Sequence, residues 1–157
     1  MSSPDRVTSV EVGPRDGFQM ETTFLPTELK VEVIDLLSEA GLTRIEATSF
    51  VSPKVIPQMA DAALVMSRIT RRTGTRYVAL VPNLKGAAHA LAAKADALEV
   101  VIVASESYNH RNVGMSVDES LAATRDIVDA AKAAGVPVQV VIGCSFGCPL
   151  EGPVKEA

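Results

Sequence analysis

The sequence predicts an α/β protein in which parallel strands alternate with helices. Apolar runs rich in Val, Ile and Ala recur along the chain, and most of the segments between them show the 3.6-residue spacing of an amphipathic helix. Glycine or proline marks most of the joins. Aromatic residues make up only 4% of the chain and Trp is absent, so small and branched aliphatic side chains must fill the core, as they do around buried parallel strands.

Residues 7–12 (VTSVEV) form the first predicted strand. Thr27 then caps a helix whose stripe is Leu29, Val33, Leu36, Leu37 and Ala40, closed by Gly41. Residues 44–48 (RIEAT) are the second strand. After Pro57, the residues Met59, Ala62, Val65, Met66 and Ile69 share one face of a second helix. Arg71 and Arg72 fall in its last turn, where the helix dipole favours cations, and Gly74 ends it.

Residues 76–81 (RYVALV) are the third strand. An Ala-rich helix follows from about Leu84 to Lys94, with Leu84, Ala88, Leu91 and Ala95 inward and His89 toward solvent. Residues 97–103 (ALEVVIV) are a fourth, almost wholly apolar strand. Ser116 and Glu119 make a capping box for a helix carrying Leu121, Thr124, Val128 and Ala131 on one side and ending at Gly135. Residues 137–143 (PVQVVIG) are the fifth strand.

This order builds a parallel sheet with right-handed crossovers. Two architectures satisfy it, an open doubly wound sheet and a (β/α)8 barrel. A doubly wound nucleotide fold usually carries GxGxxG after its first strand, and GPRDG at 13–17 is a different turn. A complete barrel takes roughly 250 residues. A chain of 157 would supply its first half plus strand five.

The net charge is −4 with both signs interleaved, which points away from nucleic acid. No apolar run approaches the roughly 20 residues of a membrane span, so no membrane partner is expected. The opening residues MSSPDRVTS lack a basic stretch followed by an apolar one, so no signal peptide is expected. Cys144 and Cys148 form neither a disulfide framework nor a zinc set, and are read as thiols of a cytoplasmic protein.

Polar groups capable of chemistry recur where the strands end, the place where parallel α/β folds build active sites. Arg15, Asp16 and Gln19 follow the first strand. Glu46 lies within the second, with Ser49 and Lys54 beyond it. Asn83 and Lys85 follow the third, and Ser105, Glu106, Asn109, His110 and Asn112 the fourth. Gln19, Ser49 and Asn83 are candidate substrate contacts on this ground, and Lys54 and Lys85 candidates for phosphates.

Glu46 is a carboxylate in an apolar strand, which is costly to bury alone. Arg15 or a metal ion would relieve that cost, and a purely structural Arg15–Glu46 salt bridge would relieve it equally well. Gly13 and Gly17 would allow the turn unusual backbone angles. With two histidines and no His-x-His or HExxH spacing, a metal held by this chain would rely on oxygen ligands, favouring Mg²⁺ or Mn²⁺.

Several stretches, in order, resemble the hydroxymethylglutaryl-CoA lyase family: VEVGPRDGFQ, VIDLLSEAGL, IEATSFVSPK, PQMAD, PNLKG and CSFGCPLEG, from about Val7 to Gly152. GPRDG is shared by a wider superfamily of metal-dependent aldolases and Claisen synthases, whereas the other motifs point more narrowly to the lyase. The resemblance implies a (β/α)8 barrel binding Mg²⁺ or Mn²⁺ that cleaves 3-hydroxy-3-methylglutaryl-CoA to acetyl-CoA and acetoacetate. It makes 1–157 one partial, pyruvate carboxyltransferase-like barrel domain, truncated after strand five.

By motif, Asp16 is implied to be a metal ligand, Arg15 to contact the thioester carbonyl of an acyl-CoA substrate, and Glu46 to complete the catalytic constellation. The family's His-x-His pair, an Asn and a catalytic Cys lie in its second half, so the remaining metal ligands are expected there. Cys148 matches the strand-five motif and not that catalytic loop. Phe18 and Met20 stand where the family commonly has Leu and Asn, a change that either reshapes the pocket or repacks it.

The expected activity is therefore lyase-type, weak or absent in this chain alone. A lyase for another 3-hydroxyacyl-CoA and a non-catalytic half-barrel assembly module are the alternatives. Either a homo-oligomer or a complementing C-terminal half would cover the open edges of such a sheet.

Overall fold

The computed structural model of the chain describes residues 7–154, and part of the signal-peptide expectation falls outside them. The elements are α1 (Thr27–Glu39), β1 (Arg44–Ser49), α2 (Ala62–Arg68), β2 (Arg76–Leu80), α3 (Leu84–Ala92), β3 (Ala97–Val103), α4 (Glu106–Val113), α5 (Val117–Ala133) and β4 (Val138–Gly143). A π-helical turn occupies Gly13–Gly17 and a 3₁₀ turn Pro57–Met59.

β1 to β4 correspond to the second to fifth predicted strands. They pair in parallel, in the order β1-β2-β3-β4. A sheet that never reverses its strand order adds each right-handed crossover on the same side, so all its helices share one face. A doubly wound sheet reverses order at a switch point. The sequential order therefore selects the barrel-type winding.

The first predicted strand is reduced to one parallel bridge. Glu11 N–H donates to the Arg44 carbonyl at 3.0 Å, and Glu46 N–H to the Glu11 carbonyl at 2.8 Å. With Glu11 opposite Ile45, Val10 falls beside Arg44, the first residue of β1, and residues 7–9 run past it with no ladder to join.

One cluster of aliphatic side chains joins sheet to helices. Ile45 and Ala47 from β1, Tyr77 and Ala79 from β2, and Leu98 and Val100 from β3 alternate along their strands toward this layer. Ile34, Val65, Met66, Ala87, Ala90, Ile127 and Ala131 meet them from the helices. The predicted stripe Met59, Ala62, Val65, Met66 and Ile69 is buried at every position.

Other helix faces differ from the sequence reading. α1 buries Thr27, Lys30, Ile34 and Ser38, while Leu29 and Leu36 are exposed. α3 turns Gly86, Ala87 and Ala90 inward, leaving Leu84 exposed, and His89 faces solvent as expected. Small residues are needed there because a Cβ on Gly86 would lie 2.8 Å from the Phe50 carbonyl oxygen. On α5, Leu121 is exposed and Ile127 takes the core position.

α2 ends at Arg68, so Arg71 and Arg72 lie beyond it. They instead bind Asp96 and Glu39. The capping box of Ser116 and Glu119 is present, and Gly41, Gly74 and Gly135 adopt positive φ as the helix and turn ends require.

The segment after β3, expected to be a polar loop, contains α4. Ser105 caps it, accepting a hydrogen bond from Tyr108 N–H, and Gly114 closes it at φ 73°. Asn109 is fully buried. Its amide donates to the Met115 and Ser116 carbonyls and to Ser120 Oγ, while its oxygen accepts from Val103 N–H. That set of bonds makes Asn109 a brace for the α4–α5 connection.

Candidate active site

The opposite face of the sheet carries the polar cluster. Glu46 pairs in register with Val78, and Leu80, Glu99 and Gln139 lie side by side on β2, β3 and β4. Side chains alternate faces along a strand, so Glu46, Glu99 and Gln139 point away from the aliphatic layer. A bulge follows Glu46, between it and Thr48, where β1 loses register with β2.

Arg15 reaches this face from the π-helical turn. The turn starts where Gly13 N–H donates to Glu11 Oε1 at 2.7 Å, and Asp16 N–H to the Val12 carbonyl at 2.7 Å. A Cβ on Gly13 would sit 2.9 Å from that same Glu11 oxygen. Crowding is thus what glycine relieves at 13, and neither Gly13 nor Gly17 has the positive φ that the sequence suggested. Turns of this kind are rare and occur frequently at functional sites.

The guanidinium is gripped on two edges. Nε donates to Glu46 Oε1 at 2.7 Å and Nη2 to Glu46 Oε2 at 3.0 Å, a bidentate pair. Nη1 donates to Asp16 Oδ1 at 2.8 Å. Glu99 Oε1 stands 3.9 Å from Nη2, and Gln139 Nε2 donates to Glu99 Oε2 at 3.0 Å. The sequence-predicted trio of Arg15, Asp16 and Glu46 therefore meets at one spot.

Glu46 is fully buried and Glu99 nearly so. Burial pushes the Glu46 carboxyl up to about 7, against the pull of Arg15, and the neighbouring Glu99 carboxyl adds to the rise. Asp16 differs, its side chain being 58% exposed with only Oδ1 engaged among the described residues.

Other candidates stand apart from this trio. Ser49 is fully buried and its Oγ has no hydrogen-bond partner among the described residues, which leaves a buried hydroxyl unsatisfied. Asn83 spends its side-chain oxygen on Gly86 N–H, capping α3. Gln19 is half-buried and makes no side-chain hydrogen bond among the described residues. Phe18 is half-buried and Met20 is 76% exposed, so Met20 repacks nothing. Lys54 and Lys85 are exposed.

Glu99 escaped the sequence reading, although the same signal found Glu46: one carboxylate within an apolar strand. Cys148 is buried. Burial alone would raise its thiol pKa, yet the Ser105 hydroxyl and the N–H groups of Leu150 and Glu151 hold it below the ordinary value. Its sulfur accepts a hydrogen bond from the Ser105 hydroxyl at 2.9 Å.

As a test of metal fit, Asp16 offers one free carboxylate oxygen of the kind Mg²⁺ or Mn²⁺ prefers. Among the described residues, no three His, Cys, Asp or Glu side chains are grouped to hold an ion. Asp16 fits as one ligand of a set and does not make the set.

The chain is similar to known proteins along almost all of its length. Residues 6–155 match the HMGL-like family. Over 154 residues, 98% of this chain and 52% of the relative, the chain is 48% identical to the mitochondrial hydroxymethylglutaryl-CoA lyase of Gallus gallus. It is also 48% identical to the cytoplasmic 3-hydroxy-3-methylglutaryl-CoA lyase of Danio rerio, covering 46% of that protein.

The fold superposes on hydroxymethylglutaryl-CoA lyase from Pseudomonas aeruginosa with a TM-score of 0.92 at 43% identity, covering 97% of this chain and 51% of that one. A lyase from Acinetobacter baumannii, solved with coenzyme A and 3-methylmalate, gives a TM-score of 0.91 at 41% identity, covering 99% and 51%. The chain thus spans about half the length of the relatives it matches, and its sheet is the corresponding part of their fold. With its matched residues running almost from end to end, the chain belongs to the HMGL-like family.

Proposed function

We propose that this chain carries the Arg-Asp-Glu half of a hydroxymethylglutaryl-CoA lyase active site, cleaving 3-hydroxy-3-methylglutaryl-CoA to acetyl-CoA and acetoacetate when the rest of the barrel is supplied. One observation carries the reading: a nearly buried guanidinium, fixed by a bidentate carboxylate, sits beside an exposed carboxylate with a free oxygen.

Cleaving the C2–C3 bond leaves negative charge on the thioester oxygen of the departing acetyl-CoA enolate, while the C3 hydroxyl becomes a ketone. Arg15 has five N–H donors. Glu46 takes two of them and Asp16 a third. Two are left, one on Nη2, which has Glu99 3.9 Å away, and the second on Nη1, which serves that oxygen. A donor already held in place stabilises charge that develops only in the transition state.

Glu46 keeps the guanidinium fixed without blocking Nη1. Asp16 would hold Mg²⁺ or Mn²⁺, whose chemistry when bound is to favour deprotonation of a chelated hydroxyl. The other ligands would come from outside this chain. Ser49 Oγ, Gln19 and Asn83 are the proposed polar contacts to substrate, with Asn83 acting from its capping position. The relatives' names include both cytoplasmic and mitochondrial proteins, and for this chain we place the reaction in the cytoplasm.

The test is complementation. The purified chain is assayed for acetoacetate from 3-hydroxy-3-methylglutaryl-CoA, alone and mixed with the separately expressed C-terminal half of a complete bacterial lyase. Cleavage is expected to be weak or absent alone, to appear on mixing, and to vanish with Arg15→Gln. If that C-terminal half rescues its own N-terminal half but never this chain, the reading is wrong.

A further inference from the structure

Glu99 is a buried carboxylate that the mechanism above leaves without a task. It stands on β3 beside Leu80 of β2 and Gln139 of β4, at 5% exposure. Gln139 Nε2 holds its Oε2 at 3.0 Å, and its Oε1 faces Arg15 Nη2 at 3.9 Å. A lone carboxylate buried in an apolar strand is costly, and a second one next to Glu46 costs more. An apolar residue would fill the position more cheaply, so what Glu99 does for Arg15 is the question.

An arginine can grip a carboxylate in two bidentate ways. In the side-on form Nε and Nη2 bind, and in the end-on form Nη1 and Nη2 bind. The structure holds the side-on form, with Nε at 2.7 Å and Nη2 at 3.0 Å from Glu46. Sliding to the end-on form would carry Nη1 onto Glu46 and away from both Asp16 and the substrate oxygen. Glu46 alone does not discriminate strongly between the two, because each makes two charge-assisted bonds.

Glu99 discriminates. Its Oε1 stands 3.9 Å from Nη2, and Gln139 Nε2 holds its other oxygen at 3.0 Å, so a carboxylate anchored on β3 draws Nη2 while Glu46 holds it. We propose that Glu99, anchored by Gln139, is a positioning residue that locks Arg15 side-on against Glu46 and so leaves Nη1 as the nitrogen offered to the enolate oxygen. The inference rests on the lyase reading for its purpose, but its geometry can be tested without any substrate.

The experiment follows the Arg15 Nε–H signal by ¹H–¹⁵N NMR in the 157-residue chain. In the wild type, Nε–H is bonded to Glu46 at 2.7 Å and is expected to exchange slowly with water. Glu99→Gln keeps an acceptor for Gln139 while removing the charge that faces Nη2. It is expected to speed Nε–H exchange by about tenfold, the loss of a charged hydrogen bond, with the backbone amide spectrum otherwise retained. Gln139→Met, which keeps the carboxylate and removes its anchor, is expected to move the signal in the same direction by less. It also serves if Glu99→Gln fails to fold.

In the complemented enzyme Glu99→Gln lowers kcat and leaves KM nearly unchanged, a split that a merely structural residue would not produce. Unaltered Nε–H exchange in a folded Glu99→Gln chain, or in a folded Gln139→Met chain if Glu99→Gln does not fold, overturns the proposal. If the complemented wild type shows no cleavage, the lyase reading fails, and the Nε–H exchange still decides whether Glu99 positions Arg15.

Discussion

Arg15 holds both oxygens of Glu46, at 2.7 and 3.0 Å, across a separation of 31 residues. The guanidinium comes from a turn and the carboxylate from a strand, and the Glu11 bridge to β1 brings the two segments together. Breaking this pair by Arg15→Met leaves Glu46 buried beside Glu99 with no cation. A loss of about 3–5 kcal/mol is expected from urea denaturation at pH 8, where the carboxyl is ionised. A loss under about 1 kcal/mol would show the pair to be energetically idle.

The raised pKa of Glu46 sets a pH dependence. Burial lifts it from 4.5 to about 7, so between these values the folded chain binds a proton that the unfolded chain has released. The stability from this group is fully present below about 4.5 and is lost as pH rises through about 7. Urea midpoints from pH 5 to pH 8 should fall more steeply in the wild type than in Glu46→Gln. Parallel curves would show that Glu46 does not titrate in this range.

A second buried pair ties α1 to the residues just before α2. Lys30 is 3% exposed, donates to Asp61 Oδ1 at 2.7 Å and lies 4.1 Å from the centre of the Phe24 ring. Thr27 Oγ1 donates to the other Asp61 oxygen at 2.8 Å. Asp61→Ala strands the ammonium and should destabilise the chain by about 3–5 kcal/mol, read by thermal or urea unfolding. Asp61→Asn, which keeps the Thr27 bond, should lose less.

Metal affinity should be weak and should centre on Asp16. Mn²⁺ added to the chain is expected to broaden amide signals around residues 15–17 first, and Asp16→Asn should abolish that selectivity. Broadening that survives Asp16→Asn would place the ion elsewhere.

Much of the strand and helix order was legible because apolar periodicity is a local property. The α2 stripe is the clearest case, since every residue read as inward is inward. On α1 the same reasoning chose Leu29 and Leu36, yet the helix buries Lys30 and Ser38 instead. The reason is distant in sequence: the Gln58 carbonyl and the Asp61 carboxylate receive the Lys30 ammonium, so its burial is compensated. α4 was invisible to periodicity because ESYNHRNV is polar all round, and its anchors are the Ser105 cap and the Asn109 amide.

The residue order alone established alternating helices and strands, and the motif match marked Arg15, Asp16 and Glu46 as a set. Nothing along the chain showed that Glu99 joins them, that Gln139 holds Glu99, or that the first strand shrinks to a single bridge. Those facts depend on how four strands align across the sheet, and alignment is fixed by packing between segments far apart in the chain. Periodicity reports which way a side chain faces, whereas charge pairing requires knowing what stands opposite.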